Sequence, residues 1–180
     1  MIYDGWSRFQ MLSVEIGDGR VFQRQFEDHG EAAAVLPYDP ERRMALMVRQ
    51  PRVGPLYSGM DPFLLEAAAG VIDLGEEPAA AAAREALEEV GVRLGKVEFV
   101  TATWSVPAVS SERIHLFLAP YSAEDRVAAG GGLEHEGEEI EVVEMSLADL
   151  LAEADAGRIT DSKTLILIWA LARRRADLFA

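Results

Sequence analysis

The chain has 180 residues, 49% of them hydrophobic and 27% charged, enough apolar matter for one folded domain with room for a small appendage. Its 31 acidic and 17 basic side chains leave a net charge of −14, which excludes general nucleic-acid binding, because phosphate contacts need a basic face. There is no cysteine, so disulfides, thiolate metal sites and a cysteine nucleophile are excluded as well. The segment Met1–Trp6 has neither the basic stretch nor the apolar core of a secretory signal. The longest strongly apolar run, Leu165 to Ala172, is far short of the ~20 residues that span a bilayer. The expectation is a soluble cytoplasmic protein with neither a nucleic-acid nor a membrane partner.

Strands are expected first. Residues Phe9 to Ile16 close at the hairpin signal Gly17-Asp18-Gly19, and a second run follows from Val21 to Phe26. A third covers Glu31 to Tyr38 and a fourth Met44 to Val48, stopped by Pro51. Residues 53–63, with two prolines and two glycines, read as a loop, and Leu64 to Ile72 as strand and turn. Pro78 then opens a helix, Ala79 to Ala83 propagate it and Gly91 stops it. Strands are expected near Val97–Thr103, Ile114–Ala119 and Ile140–Met145. A helix capped by Ser146, with Asp149 three residues on, runs to Gly157, and a last one spans Ser162 to Arg175. The stretch Ala128–Glu141 is rich in glycine and glutamate.

Chemistry concentrates on the Pro78 helix. At 100° per residue, Glu85, Glu88 and Glu89 share an arc of about 100°. Ala79, Ala80, Ala83, Leu87 and Val90 lie opposite, so the carboxylates are expected on an exposed face and the apolar stripe on the buried one. Like charges at these spacings cost about 0.2–0.5 kcal/mol per pair. A divalent cation would reverse that cost, and oxygen-only ligands suit Mg²⁺ or Mn²⁺ rather than zinc.

The helix belongs to a longer pattern, G-x5-E-x7-R-E-U-x-E-E-x-G-U with U apolar. It is matched at Gly70, Glu76, Arg84, Glu85, Ala86, Glu88, Glu89, Gly91 and Val92. A chance match is on the order of 10⁻⁸ per starting point at ordinary residue frequencies. The string resembles the Nudix box, the signature of the Nudix hydrolases. The resemblance implies an α/β fold: an α/β/α sandwich around a mixed central sheet, here with an N-terminal antiparallel β appendage. It implies Mg²⁺-dependent hydrolysis of a diphosphate linkage, with Glu85 and Glu89 as the main metal ligands and Glu88 beside them as a ligand or catalytic group. Ala69 would offer its carbonyl. Arg84 and Glu76 would brace the motif, while Gly70 and Gly91 would allow tight turns at its ends.

The flanks Arg49-Gln50-Pro51-Arg52, Leu64 to Gly70, Gly130-Gly131-Gly132 and Gly157 to Thr164 resemble the nucleoside-diphosphate-sugar branch, the ADP-ribose and GDP-mannose pyrophosphatases. That likeness implies a diphosphate contact for Arg52. It also implies a catalytic base outside the box, in the loop before Ile140: Glu136, with Glu138 as a further metal ligand. Glu134, Glu138 and Glu139 remain alternatives for the base, and His135, His29 and His115 read as solvated or structural. The segment Trp104-Ser105-Val106-Pro107-Ala108 departs from the branch's usual Ser-Pro-Gly, which leaves the sugar open. The branch further implies a homodimer in which residues 1–28 pack on a second subunit, with Arg24, Gln25 or Trp6 reaching its pocket, and residues 29–180 form the hydrolase domain. The competing expectations are a nucleotide-sensing Nudix regulator and a pyrophosphatase of another substrate class.

Overall fold

The computed structural model describes residues 1–5, 7–133 and 139–179. Its centre is β4 (Glu31–Asp39), a run of small and apolar residues buried from Ala32 to Asp39. Such continuity marks a strand covered on both faces. Ala32, Ala34, Leu36 and Tyr38 look one way, and Ala33 and Val35 the other. β5 (Met44–Pro51) repeats the division with Ala45 and Met47 against Leu46 and Val48.

A seven-stranded mixed sheet forms around this pair. β9 (Arg113–Pro120) runs parallel to β4, and β8 (Glu98–Trp104) lies antiparallel beyond it. β10 (Glu141–Ser146) pairs with the far side of β5. β4 and β5 bond to each other only at Tyr38–Ala45 and Asp39–Met44 and then separate. The wedge between them is filled by β6 (Phe63–Glu66), paired to β5, and β7 (Ala68–Val71), paired to β4. The stretch 64–72, expected as strand and turn, therefore holds two strands that change partners at Ala67. Pro37, which has no N–H, sits where β4 passes from β7 to β5.

One face of the sheet is covered by α2 (Pro78–Val90) and the other by α3 (Leu147–Asp155) and α4 (Ser162–Arg174). α2 has its proline in the first turn and Gly91, at φ 72°, after its last. Ser146 caps α3 by accepting from the Asp149 N–H, and Asp161 caps α4 by accepting from Thr164 N–H. Residues 53–63, expected as a loop, begin with a single helical turn, α1 (Val53–Tyr57), none of it buried. Pro55 is tolerated there because first-turn N–H groups lack helical partners anyway. Among the described residues no helix is long and apolar enough to cross a membrane.

The N-terminal segment is a separate three-stranded antiparallel sheet, β1 (Tyr3–Asp4), β2 (Arg8–Ile16) and β3 (Arg20–Asp28). It is tied to the main body through Glu27, whose N–H donates to the Val109 carbonyl at 2.7 Å and whose carbonyl accepts from Ser111 N–H at 2.9 Å. Phe9, Met11, Val14, Ile16 and Val21 remain exposed on it.

The layer between α2 and the sheet is built from small side chains: Ala33 and Ala68 on the strands, Ala81, Ala82 and Ala86 on the helix, all fully buried. Small residues on both sides let the helix backbone approach the sheet closely. Ala82→Leu is expected to lower stability by about 1–3 kcal/mol through overpacking and to lower activity with it, since the helix must move outward; urea denaturation and turnover measured on one preparation check both.

Candidate active site

Close approach of α2 to β7 puts carboxylates where apolar side chains were expected. Glu89 is 1% exposed and Glu85 8%, whereas Ala79, Ala80 and Leu87 face solvent. The expected orientation of the helix is thus corrected for Glu85, Glu89, Ala79, Ala80 and Leu87, while Val90 is buried as expected and Glu88 stays half-buried. Alanines occur on both faces and carry little directional information, and the buried carboxylates are held by specific partners, the condition under which a charge can be buried. Glu89 accepts a hydrogen bond from the backbone N–H of Ala69 at 2.9 Å. Glu85 lies over Gly70: a Cβ built there would sit 2.0 Å from Glu85 Oε1. Gly70 is an ordinary β7 residue paired with Ala33, so the turn expected of it is absent. Its missing side chain is the space that Glu85 occupies.

Arg84 braces the cluster. Its Nε and Nη2 each donate to Glu76 at 3.1 Å, Nη2 donates to the Val71 carbonyl at 2.9 Å, and Nη1 donates to Glu85 at 2.6 Å and to Glu88 at 3.1 Å. The guanidinium pKa is driven up, first by the bonds to Glu76, and Glu76 is held below the usual carboxylate range by Arg84 and by the Asp73 N–H. The expected pairing of Arg84 with Glu76 is present, and so is its bond to Glu88.

The far end of α2 is closed by the glycine run. Gly131 and Gly132 donate their N–H groups to the carbonyls of Glu89 and Glu88, at 2.8 and 3.1 Å. Gly130 has φ 73°, and a Cβ on it would fall 2.4 Å from the Glu89 carbonyl oxygen. The run is therefore a C-terminal cap on the carboxylate helix, a role its composition alone does not reveal. It delivers the chain to Leu133. Glu134, His135, Glu136 and Glu138 lie outside the described residues, as does Trp6. Glu139 is exposed.

At the inner end of the wedge, Arg52 bonds to Glu66 in a bidentate pair, Nε to Oε1 at 2.8 Å and Nη2 to Oε2 at 2.9 Å. Lys163 also bonds to Glu66 Oε2 and stands 3.1 Å from Asp161. Burial pushes the Glu66 pKa up, but the bonds and charges of Arg52 and Lys163 more than offset it and the net shift is downward. Its stabilising contribution is therefore present above the ordinary glutamate range and is lost as pH falls through the depressed value. Glu66 and Lys163 lay within the flanks noted above without any role attached. The signal was an acid inside the apolar string Phe63 to Gly70, and a lysine opening an apolar helix.

The remaining residues noted in the sequence lie apart. His115 pairs with Glu31 at 3.1 Å on the β4–β9 ladder. Arg24 and Gln25 are exposed on β3, and Trp104 is exposed on β8.

The NUDIX domain model matches residues 28–165. The chain belongs to the Nudix family. GDP-mannose pyrophosphatase of Cronobacter sakazakii is 39% identical over 160 residues, 87% of this chain and 82% of that protein. The enzyme of the same name from Citrobacter koseri is 37% identical over 158 residues, 87% and 81% of the two chains. A solved structure titled as an ADP compounds hydrolase superposes with a TM-score of 0.75, covering 98% of this chain and 90% of that one at 20% identity, which establishes the shared fold.

Nudix hydrolases work with divalent cations, and the donors here fit one. They are all oxygen, and they include two buried carboxylates one helical turn apart, a like-charge pair that a divalent cation would offset. Among the described residues no three His, Cys, Asp or Glu side chains form a cation site by themselves. Gly70→Ala is expected to leave the melting temperature near that of the parent, because the atoms met are the tip of a flexible side chain. It should nevertheless displace the Glu85 carboxylate and weaken Mn²⁺ binding measured by calorimetry.

Proposed function

We propose that this Nudix hydrolase cleaves the diphosphate linkage of a nucleoside diphosphate sugar in the cytoplasm, releasing a nucleoside monophosphate and a sugar phosphate. GDP-mannose is the first substrate to test, from the names of the relatives above, and ADP-ribose the second. The observation that carries the reading is the buried pair Glu85 and Glu89, locked between Gly70, Ala69 and Arg84.

In this reading Glu85, Glu89 and the Ala69 carbonyl would hold Mg²⁺, which Mn²⁺ could replace, and Glu138 would be a further ligand. When bound, the cation screens the diphosphate, polarises phosphorus and lowers the pKa of a water. Arg52 turns its remaining N–H donors toward the diphosphate. Glu136 removes a proton from the attacking water, and Glu88, held by Arg84, stands beside the ligands. Phosphoryl chemistry asks mainly for such positioning and charge compensation. Gly70 and Gly91 keep the box compact, and Glu76 with Arg84 keeps its loop on the helix.

A panel of nucleotide sugars, assayed with Mg²⁺ and with product phosphate released by phosphatase, tests the substrate class. Turnover of GDP-mannose above the rest of the panel is expected, and no turnover of any nucleotide sugar would overturn the reading. Glu85→Gln and Glu89→Gln should each lower kcat by orders of magnitude, with far-ultraviolet circular dichroism unchanged. Glu136→Gln should lower kcat by about 10²–10⁴-fold with little change in KM, the pattern of a base acting in the transition state. Glu138→Gln should instead raise the Mg²⁺ concentration needed.

The same reading makes residues 1–28 a dimerisation segment and residues 29–180 the hydrolase domain. A three-stranded sheet exposing Phe9, Met11, Val14, Ile16 and Val21 has little of its own to bury. A C2 homodimer burying upward of about 2,000 Å² would cover it. Light scattering should give twice the chain mass. Deletion of residues 1–28 should give a monomer or aggregate with poor substrate binding, and a fully active monomer would contradict the shared-site reading.

A further inference from the structure

Resting on the reading of Arg52 as a diphosphate contact, we propose that Lys163 is a positioning residue of the site: through the carboxylate it shares with Arg52, that of Glu66, it fixes the Arg52 guanidinium toward the substrate.

The Glu66 side chain is 2% exposed and that of Lys163 10%, while Arg52 keeps 43% of its side chain accessible. An accessible guanidinium is thus anchored on a buried carboxylate, and that carboxylate is gripped from within by a buried ammonium. Arg52 uses Nε and Nη2 for the two bonds to Glu66. A guanidinium has five N–H donors in a rigid plane. The fork to Glu66 therefore sets the plane, and three donors stay unengaged by that carboxylate.

The anchor depends on α4. Lys163 lies in its first turn, where the helix dipole disfavours a cation. Burying an ammonium there breaks two local preferences at once, and such violations gather at functional sites. The position is tolerated because Lys163 is shared between Glu66 and Asp161. Asp161 is also the cap of α4: its Oδ2 accepts from the Thr164 N–H at 3.0 Å and from the Thr164 hydroxyl at 2.6 Å. The same hydroxyl oxygen accepts from Ala67 N–H at 2.8 Å.

Thr164 thus already ties α4 to the β6–β7 junction without a charge. A buried ion pair is also often replaceable by apolar residues without loss of stability. What Lys163 adds is charge balance. Arg52 faces Glu66, Asp161 and Glu89, all of which act on it electrostatically. Lys163 takes up part of that negative charge, so that Arg52 is held by Glu66 without being fully neutralised, and an anionic diphosphate still finds a cation.

The test is a double-mutant cycle on the full chain, with KM and kcat for GDP-mannose measured at saturating Mg²⁺. Lys163→Met should raise KM about tenfold, the scale of a lost supporting contact, with kcat within about threefold of the parent. Arg52→Ala should raise KM at least as much. In the Arg52→Ala background, Lys163→Met should add less than about twofold, because the group it positions is gone. Lys163→Arg should restore most of the KM. Lys163→Gln, which can still bond to Glu66, serves as the neutral variant if Met prevents folding. An unchanged KM in the neutral variant, alongside a raised KM in Arg52→Ala, overturns the positioning role alone, and so does an equal KM increase with and without Arg52. An unchanged KM in Arg52→Ala overturns the underlying reading of Arg52 instead.

Discussion

Two carboxylates of one helix are buried against a strand, and much of the structure is arranged to permit it. Glu85 and Glu89 face the sheet rather than water. Each needs partners, and each has them: the Ala69 N–H for Glu89, and Arg84 with the open space over Gly70 for Glu85. The helix can come close only because Ala33, Ala68, Ala81, Ala82 and Ala86 form the layer between it and the sheet. The alanine richness that reads as helix propensity is therefore equally a packing requirement. Arg84 then ties the loop at Glu76 and the Val71 carbonyl to the helix, beside the bond from Ala69 to Glu89.

The second organising feature is the separation of β4 from β5. The wedge admits β6 and β7, and the residues that flank the carboxylate helix come from it: Glu66 at its inner end, Ala69 and Gly70 along β7. α4 lies against the opposite side of the sheet, yet its first turn reaches into the same wedge through Lys163 and Thr164. The two layers of the sandwich thus meet at the site. The C-terminal cap made by Gly131 and Gly132 ties a third segment to the carboxylate helix.

Much of this was legible in the sequence, for identifiable reasons. Both ends of α2 and the start of α3 were readable because Pro78, Gly91 and Ser146 carry local signals. The box was readable because its spacing is rigid. The rotation of α2 was not: a hydrophobic stripe ranks positions by polarity, and here two of the most polar residues are buried with dedicated partners. The Arg52–Glu66–Lys163 group was not readable either, since Glu66 and Lys163 are 97 positions apart and no periodicity relates them. β1 is only two residues long and leaves no pattern. The one-turn α1 was hidden by its proline and glycine, which read as loop.

In the proposed mechanism the buried face of α2 is a divalent-cation site. Electron paramagnetic resonance of Mn²⁺ titrated into the nucleotide-free protein tests it without reference to any substrate. Saturable loss of the free-Mn²⁺ signal is expected in the parent, competed by Mg²⁺ and strongly weakened in both Glu85→Gln and Glu89→Gln. Equal Mn²⁺ binding by the parent and by the two variants would contradict it.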